Sequence, residues 1–487
     1  MNRIVDKMSF SHFQMLAEEN PVVPMYLKVG GEFYTPQMVY LKLRASETPS
    51  FLLESAIRGE QVGRYSFVGF HPRGVLRYRM PTPASPQPTG VFAQIHSLLE
   101  KWKSVALAEL PPLTGGLVGY VGYDVVREIE HLPEMPPDSV GIPDVCLGIY
   151  TRIIAFDHLK NEMILIGHLQ SRSNQSLKAQ YDEEMQRLID LLEQLQDTPF
   201  YLEPFSASSQ AMTGNFTPQA FQEVVQQAKD AIFAGDIFQV VLSQRFRIPF
   251  SGDAFQVYRA LRRLNPSPYM FFLEFGDFQL IGSSPEMLVR QQDDEVELVP
   301  IAGTRHRGRT PEEDQAIARE LKADPKELAE HMMLVDLARN DVGRVSRPGS
   351  VRVKELGTVE RYSHVMHIIS RVYGTVTDSA SLVNTFQAVF PAGTVSGAPK
   401  IRAMEIIDQL EPEKRSFYAG SVGYFDFTGS MNHCIAIRTL LAKPPYLYLQ
   451  AGAGIVVDSD PEREYQETLH KIRALQQAIT MATEAVS

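Results

Sequence analysis

The sequence predicts an α+β fold of largely antiparallel sheets packed with helices, and three observations carry this. Strand-like stretches precede helices without strict βαβ alternation. The helical stretches carry amphipathic spacing and recognisable caps. Hydrophobic residues make up 44% and charged residues 22% of the chain, the usage of an ordinary globular protein, so a disordered or collagen-like chain is excluded. At 487 residues the chain is long enough for two large units or about three smaller ones.

In chain order, 74–80 (GVLRYRM), 147–157 (LGIYTRIIAFD) and 163–169 (MILIGHL) read as strands. Residues 81–90 hold four prolines and read as an exposed loop. GGLVGYVGYD, 115–124, is glycine-rich but lacks the GxGxxG order, so it reads as a strand with close backbone packing rather than a nucleotide loop. Residues 177–195 read as an amphipathic helix. Residues 196–215, rich in Pro, Ser, Thr and Gly, read as a linker between an N-terminal region, 1–195, and a C-terminal region, 216–487.

In the C-terminal region Thr217 caps a helix with Pro218 at its first position. Phe221, Val224, Val225, Ala228, Ile232 and Phe233 share one face of it, and Gly235 ends it. Strands are expected at 237–248, 278–290, 296–303 and 446–457. Further helices should run from Asp324–Pro325 to about Arg339, and from Asp460–Pro461 nearly to the end.

Composition also excludes functions. Lys and Arg number 47 against 58 Asp and Glu, a net charge of −11, so the basic surplus of a nucleic-acid binder is missing. The two cysteines, Cys146 and Cys434, allow neither a disulfide framework nor a CxxC site and fit a reducing compartment. The first twenty residues lack the apolar core of a signal peptide, and no run approaches the roughly 20 apolar residues of a membrane helix. A cytoplasmic protein with no membrane partner is expected.

Two carboxylate pairs are the sharpest chemical feature. Glu327 and Glu330 lie three apart on one expected helix, Glu464 and Glu467 three apart on another, so each pair shares a helix face. Two readings stand. Four oxygen donors from two helix starts suit a hard cation such as Mg²⁺. Equally, Asp324-Pro-Lys-Glu327 resembles a capping box, and Glu464 and Glu467 suit a solvated first turn.

Small-residue segments at 392–400, 418–425 and 451–455 can offer backbone N–H groups to an anion, with Arg438 and Lys471 as cationic partners. They can equally be tight turns between strands. His364 and His367 lie three apart, without zinc spacing around them. Asp336, Arg339, Asn340 and Asp341 read as a helix end held by local ion pairs. Cys146 stands in a strand-like run with no Cys–His–carboxylate arrangement around it, and Cys434 reads as buried strand.

Taken together, IFQVVLSQRF, IGSSPEML, PIAGTR, ELAEHMMLVDLARNDVGRV, SHVMH, FPAGTVSGAPKIRAMEII, YAGSVGYF, IAIRT, AGAGIVVDSDPEREYQET and HK, in this order over about 216–480, resemble the chorismate-utilising enzymes. These are the anthranilate, aminodeoxychorismate, isochorismate and salicylate synthases. FLLES (51–55), GRYSFVG (63–69) and NPSPYMFF (265–272) resemble anthranilate synthase large subunits, so the likeness spans nearly the whole chain.

The resemblance implies a two-subdomain fold of that type and a set of roles. Glu327, Glu330, Glu464 and Glu467 would hold Mg²⁺, with Glu330 and Glu467 as direct ligands. Arg438, Lys471 and the amides near Gly423 and Gly454 would bind substrate carboxylates, with Thr304, Thr394 and Tyr418 lining the pocket. Glu286 would protonate the departing C4 hydroxyl, and His367 would assist pyruvate release.

Two positions discriminate within the family. Isochorismate and salicylate synthases carry a water-activating Lys where this chain has Gln239. Glutamine cannot take a proton in that way, so ammonia, already nucleophilic, is the better fit. Many aminodeoxychorismate synthases have a nucleophilic Lys in PIKGT, where this chain has Ala302. The implied reaction is chorismate and ammonia to anthranilate and pyruvate through 2-amino-2-deoxyisochorismate, the first step of tryptophan biosynthesis. A glutamine amidotransferase subunit would supply the ammonia. Tryptophan would inhibit through a pocket of Glu54, Ser55, Pro268, Tyr269 and Met270, closed by Val422 and Tyr424. The alternatives are an aminodeoxychorismate synthase component, or a catalytically silent tryptophan-binding protein.

Overall fold

The structure, a computed structural model, describes residues 4–45, 48–55, 63–81, 89–172, 174–361 and 365–484. Most of the proline-rich loop at 81–90, and His364, lie outside the described residues. Two large sheets dominate, with 14 and 10 strands among the described residues. The pairings are antiparallel, as expected.

Both sheets draw on both ends of the chain. In the larger, Ser50–Glu54 pairs with Tyr269–Glu274, with Glu54 opposite Met270. In the smaller, Gly116–Val121 pairs with Ser421–Asp426, with Gly119 opposite Gly423. The segment read as a linker contributes strands too: Phe205–Ala207 and Thr213–Gly214 both pair with Gln239–Gly252.

The larger sheet is covered on both faces, and its alternation shows how. Phe51 and Phe271 belong to the core that also holds Val118 and Val422 of the smaller sheet. Their neighbours Leu52 and Phe272 belong to a second core with Leu188, Phe255 and Leu475 from helices Leu177–Asp197, Phe255–Leu264 and Pro461–Glu484. Burial on both faces explains why FLL and MFFL are continuous apolar runs rather than alternating ones. The 115–124 reading holds: Gly116–Val121 is a strand, and a Cβ on Gly119 would stand 2.0 Å from the Cys146 carbonyl.

Three strand assignments need correction. Residues 147–157 form two strands, Val145–Tyr150 in the smaller sheet and Arg152–Asp157 in the larger. Residues 278–290 likewise divide into Gln279–Ser284 of the larger sheet and Met287–Gln292 of the smaller. Residues 296–303 divide into Glu295–Leu298 and Ile301–His306. Apolar periodicity cannot mark such breaks, because the chain is buried on both sides of each crossing.

The helices agree better. Thr217 accepts from the Ala220 amide and caps Pro218–Phe233, which buries Phe221, Val225 and Ala228 but leaves Phe233 69% exposed at its end. Asp324 caps Pro325–Gly343, accepting from the amides of Lys326 and Glu327. Among the described residues no helix is long and apolar enough to cross a membrane.

Candidate active site

Two of the expected site residues stand where the chain passes between the sheets. Glu286 lies in the break between Gln279–Ser284 and Met287–Gln292. Arg438 lies between Met431–Ile435 and Thr439–Lys443, with φ +51, a left-handed conformation uncommon for a residue with a side chain. The crossings are tied together. The Ile435 amide donates to the Glu286 carbonyl at 3.0 Å, and the Ser283 amide to the Arg438 carbonyl at 3.2 Å.

Burial pushes the Glu286 carboxyl up to about 7, with Thr394 and Lys471 as the opposing influences. A carboxyl near 7 retains its proton in part at neutral pH and can donate it. Thr394 Oγ1 is buried beside it without a hydrogen bond of ordinary geometry. A buried hydroxyl left in that state suits a ligand oxygen.

The opposite wall is built from Gln239–Gly252 against Tyr446–Ile455, with Val241 facing Gly454 and Ser243 facing Gly452. A Cβ on Gly454 would lie 2.8 Å from Gln239 Nε2, so glycine there makes room for the Gln239 side chain. Lys471 Nζ donates to the Gly452 carbonyl at 2.8 Å, and Arg438 Nη1 to the Lys471 carbonyl at 2.5 Å. Burial pushes the Tyr418 hydroxyl up to about 12, and the nearby Arg438 partly opposes this. Burial also lowers the Arg438 pKa.

His367 and Thr304 are cross-strand partners on Val365–Thr375 and Ile301–His306. His367 Nδ1 lies 3.0 Å from the Gly303 carbonyl and 3.1 Å from Thr304 Oγ1. A carbonyl only accepts, so the proton sits on Nδ1 and Nε2 carries the lone pair. Burial lowers the His367 pKa and Arg438 adds to that, which keeps the ring neutral.

The four carboxylates gather beside this group. Burial raises the Glu330 pKa, and Glu327 and Glu467 add to it. Burial raises that of Glu464, with Glu467 again contributing. The carboxylate charges beside Glu330 and Glu464 suit a divalent cation between them, and an all-oxygen donor set suits Mg²⁺. In the structure cationic side chains hold two of them. Arg305 Nη1 donates to Glu327 at 2.8 Å, and Lys471 Nζ to Glu467 at 2.7 Å. Among the described residues no three His, Cys, Asp or Glu side chains form a group ready to hold a metal. The capping reading holds in part, since Asp324 caps the helix while the Glu327 side chain turns to Arg305. Arg305 was not distinguished by sequence; its place in PIAGTR is the one available signal.

Gly423 is not part of this cluster. It lies in a strand paired on both sides, opposite Gly119 and His433, where its amide belongs to the sheet. It borders instead a cavity of about 1040 Å³ that Glu54, Ser55, Pro268, Tyr269, Met270, Val422 and Tyr424 all line. The seven residues assigned to an inhibitor pocket thus meet around one space. Within it Glu54 and Ser55 differ. The Glu54 carboxylate is taken up by Gln37 Nε2 at 2.6 Å, the Tyr258 hydroxyl and Arg262. Ser55 Oγ is buried with no hydrogen-bond partner among the described residues.

The remaining candidates are structural. Cys146 and Cys434 are buried free thiols, each pushed up to about 12 by burial, so neither is a nucleophile. Arg339 pairs with Asp336 at 2.8 Å, and Asp341 with Lys400 at 2.8 Å.

Comparison with known proteins agrees with this arrangement. Anthranilate synthase component 1 of Cereibacter sphaeroides is 45% identical over 96% of this chain and 97% of its own length. That of Acetivibrio thermocellus is 42% identical over 97% and 98%. The crystal structure of anthranilate synthase component I from Streptococcus pneumoniae superposes with a TM-score of 0.76 at 37% identity, covering 92% of this chain and 98% of that one. The menaquinone-specific isochorismate synthase of Escherichia coli shares the fold, with a TM-score of 0.71 at 20% identity over 96% of this chain and 98% of its own. The family model for chorismate binding enzymes matches residues 48–477, a span that takes in both crossings, all four carboxylates and the residues lining the 1040 Å³ cavity. The chain belongs to that family, as an enzyme of the chorismate-utilising class.

Proposed function

We propose that this chain is the chorismate-converting component of an anthranilate synthase. The observation that carries the reading is the meeting of a protonatable Glu286, a neutral His367, Arg438 and Lys471 around a wall where Gln239 stands over Gly454.

Ammonia adds through its lone pair at C2 of chorismate, both ring double bonds shift, to C1–C6 and C4–C5, the C4 hydroxyl leaves as water with the proton from Glu286, and the added nitrogen gives its extra proton to solvent. His367 Nε2 then takes the C2 proton, the C3–O bond breaks, and the ring aromatises to anthranilate as enolpyruvate departs and becomes pyruvate. Arg438 and Lys471 hold substrate carboxylates through charge-assisted hydrogen bonds. Mg²⁺, held by Glu330 and Glu467 with Glu327 and Glu464, would supply positive charge to anchor a carboxylate of the ring. Gln239 offers no base for water, and Ala302, buried in its strand, offers no nucleophile; both favour ammonia attack and anthranilate over the products of sister enzymes.

A glutamine amidotransferase subunit supplies the ammonia, in keeping with relatives named as component 1. Tryptophan occupies the 1040 Å³ cavity, where Ser55 offers an unsatisfied hydroxyl, and inhibits from there. The test is anthranilate fluorescence from purified protein with chorismate, Mg²⁺ and ammonium, with and without tryptophan. Anthranilate that requires both Mg²⁺ and ammonium, and falls with tryptophan, supports the reading. Accumulation of an amino-substituted intermediate without anthranilate moves the chain to aminodeoxychorismate synthesis. Tryptophan binding with no turnover leaves a silent regulatory protein. Gln239→Lys should introduce some water attack; unchanged products would remove the role given to Gln239.

A further inference from the structure

Arg415 is a large charged side chain that is almost wholly enclosed, 1% exposed, and no step above uses it. It lies in the segment after helix Lys400–Leu410 and spends its fork on three different parts of the chain. Nη1 donates to the Val395 carbonyl at 2.6 Å, and Nη2 to the Val241 carbonyl at 2.6 Å. Nε and Nη2 hold the two oxygens of Glu411 at 3.0 and 2.6 Å. Glu411 in turn accepts from the Ser243 amide at 2.7 Å and the Ser243 hydroxyl at 2.9 Å. The guanidinium carbon lies 4.8 Å from the Tyr123 ring and 5.8 Å from the Tyr418 ring.

Each attachment point adjoins a residue of the candidate active site. Val395 follows Thr394. Val241 faces Gly454, two positions beyond Gln239. Ser243 faces Gly452, whose carbonyl receives Lys471 Nζ. Tyr418 lies three positions after Arg415, and its amide donates to the Arg415 carbonyl at 3.1 Å. A buried ion pair is a poor source of net stability, since apolar side chains of similar volume often serve as well or better. What a guanidinium adds is a rigid set of donors that fixes several acceptors at once.

We propose that the Arg415–Glu411 pair is a positioning device that holds three walls of the chorismate site, at Thr394, Gln239–Gly454 and Tyr418, in mutual register. The inference rests on the chorismate reading of that site. Arg415 touches no substrate, so its loss acts through misplacement of these walls. A displacement near 1 Å at a reacting centre can cost up to about 100-fold. The inhibitor cavity is lined by other segments, so tryptophan affinity reports whether the fold itself has been disturbed.

Lysine at 415 keeps one charge for Glu411 but cannot reach both carbonyls, and Glu411→Gln keeps the shape of the pair while removing its charge. Chorismate and tryptophan affinities of Arg415→Lys, Glu411→Gln and wild type would be measured by calorimetry with Mg²⁺ and without ammonia, beside KM and kcat. The expected result is roughly tenfold weaker chorismate binding and raised KM for Arg415→Lys, a smaller loss for Glu411→Gln, and tryptophan affinity within about twofold of wild type. Should the lysine variant not fold, Glu411→Gln decides alone by the same comparison. Variants that match wild type toward chorismate, or that lose both ligands equally, overturn the positioning role. A wild type that itself binds no chorismate overturns the proposed function, and this inference with it.

Discussion

Glu286 and Met287 are consecutive residues, one in the break between the sheets and the other opening a strand, and Met287 reaches a space that Glu286 does not. Glu286 borders a small pocket with Thr394, while Met287 also borders the 1040 Å³ cavity. The partner strand repeats the arrangement, since Cys434 lines the large cavity and Ile435 the small pocket. The two strands are joined there, with the Ile435 amide on the Glu286 carbonyl and the Ser284 hydroxyl on the Ile435 carbonyl at 2.7 Å. A ligand pressing on Met287 therefore acts on the segment that carries Glu286, a contiguous route for coupling. Met287→Ala should bind tryptophan yet transmit it poorly. Residual turnover at saturating tryptophan, set against the calorimetric Kd, measures this; full inhibition in the variant would rule the route out.

Glu286 also sets a pH dependence. Its folded carboxyl is raised to about 7, so the fold favours the protonated form. As general acid it is competent below that pH and loses competence as pH rises through it. With the ammonia free-base concentration held constant, kcat/KM should fall above about pH 7, and Glu286→Gln should lose the limb together with roughly 10²–10⁴-fold of the rate. The same shift makes the fold less stable once the group ionises. Glu286→Gln should therefore gain about 1–3 kcal/mol over wild type at pH 8 and little at pH 5, read by denaturant unfolding.

Removal of the divalent ion should abolish turnover, and its return should restore it. Glu330→Gln should weaken Mg²⁺ binding roughly 10–100-fold, measured by calorimetry without substrate. Arg305→Ala frees Glu327 from its ion pair. It should change Mg²⁺ affinity, while the same substitution at Arg339, which pairs with Asp336 on the exposed helix surface, should not.

Gly454→Ala places a methyl group 2.8 Å from Gln239 Nε2, the end of a flexible side chain. The variant should fold, with melting within a few degrees of wild type, and lose chorismate affinity. Gly423→Ala meets the Asn432 carbonyl at 2.2 Å, where the backbone cannot give. It should be destabilised by more than about 2 kcal/mol. Equal stability in the two variants would contradict this placement.

Much of the fold was legible because caps and amphipathic faces are local. Thr217, Asp324 and the two carboxylate-bearing helix starts follow from residues within one turn. The sheet crossings were not legible, because both sides of each break are buried and apolar in the same way. Motif resemblance identified Glu286 and Arg438, but nothing local marked their shared position between sheets. The resemblance placed Gly423 among the substrate amides, and the small-residue pattern around it serves close strand packing equally well. Arg415 and Glu411 lay in EPEKRSFYAG, a charged stretch with the look of surface; only the long-range partners Val241 and Ser243 reveal its burial.

The interleaving of early and late strands bears on how the chain is made. Glu54 pairs with Met270, and Gly119 with Gly423, so key ladders join residues separated by roughly 200 and 300 positions. During translation the first third of the chain would emerge with apolar strand edges whose mates do not yet exist. Folding should then wait for near-complete synthesis, and premature termination should yield sticky, chaperone-dependent fragments rather than a free-standing sensor. The large cavity and the chorismate site are thus inherited as one indivisible piece.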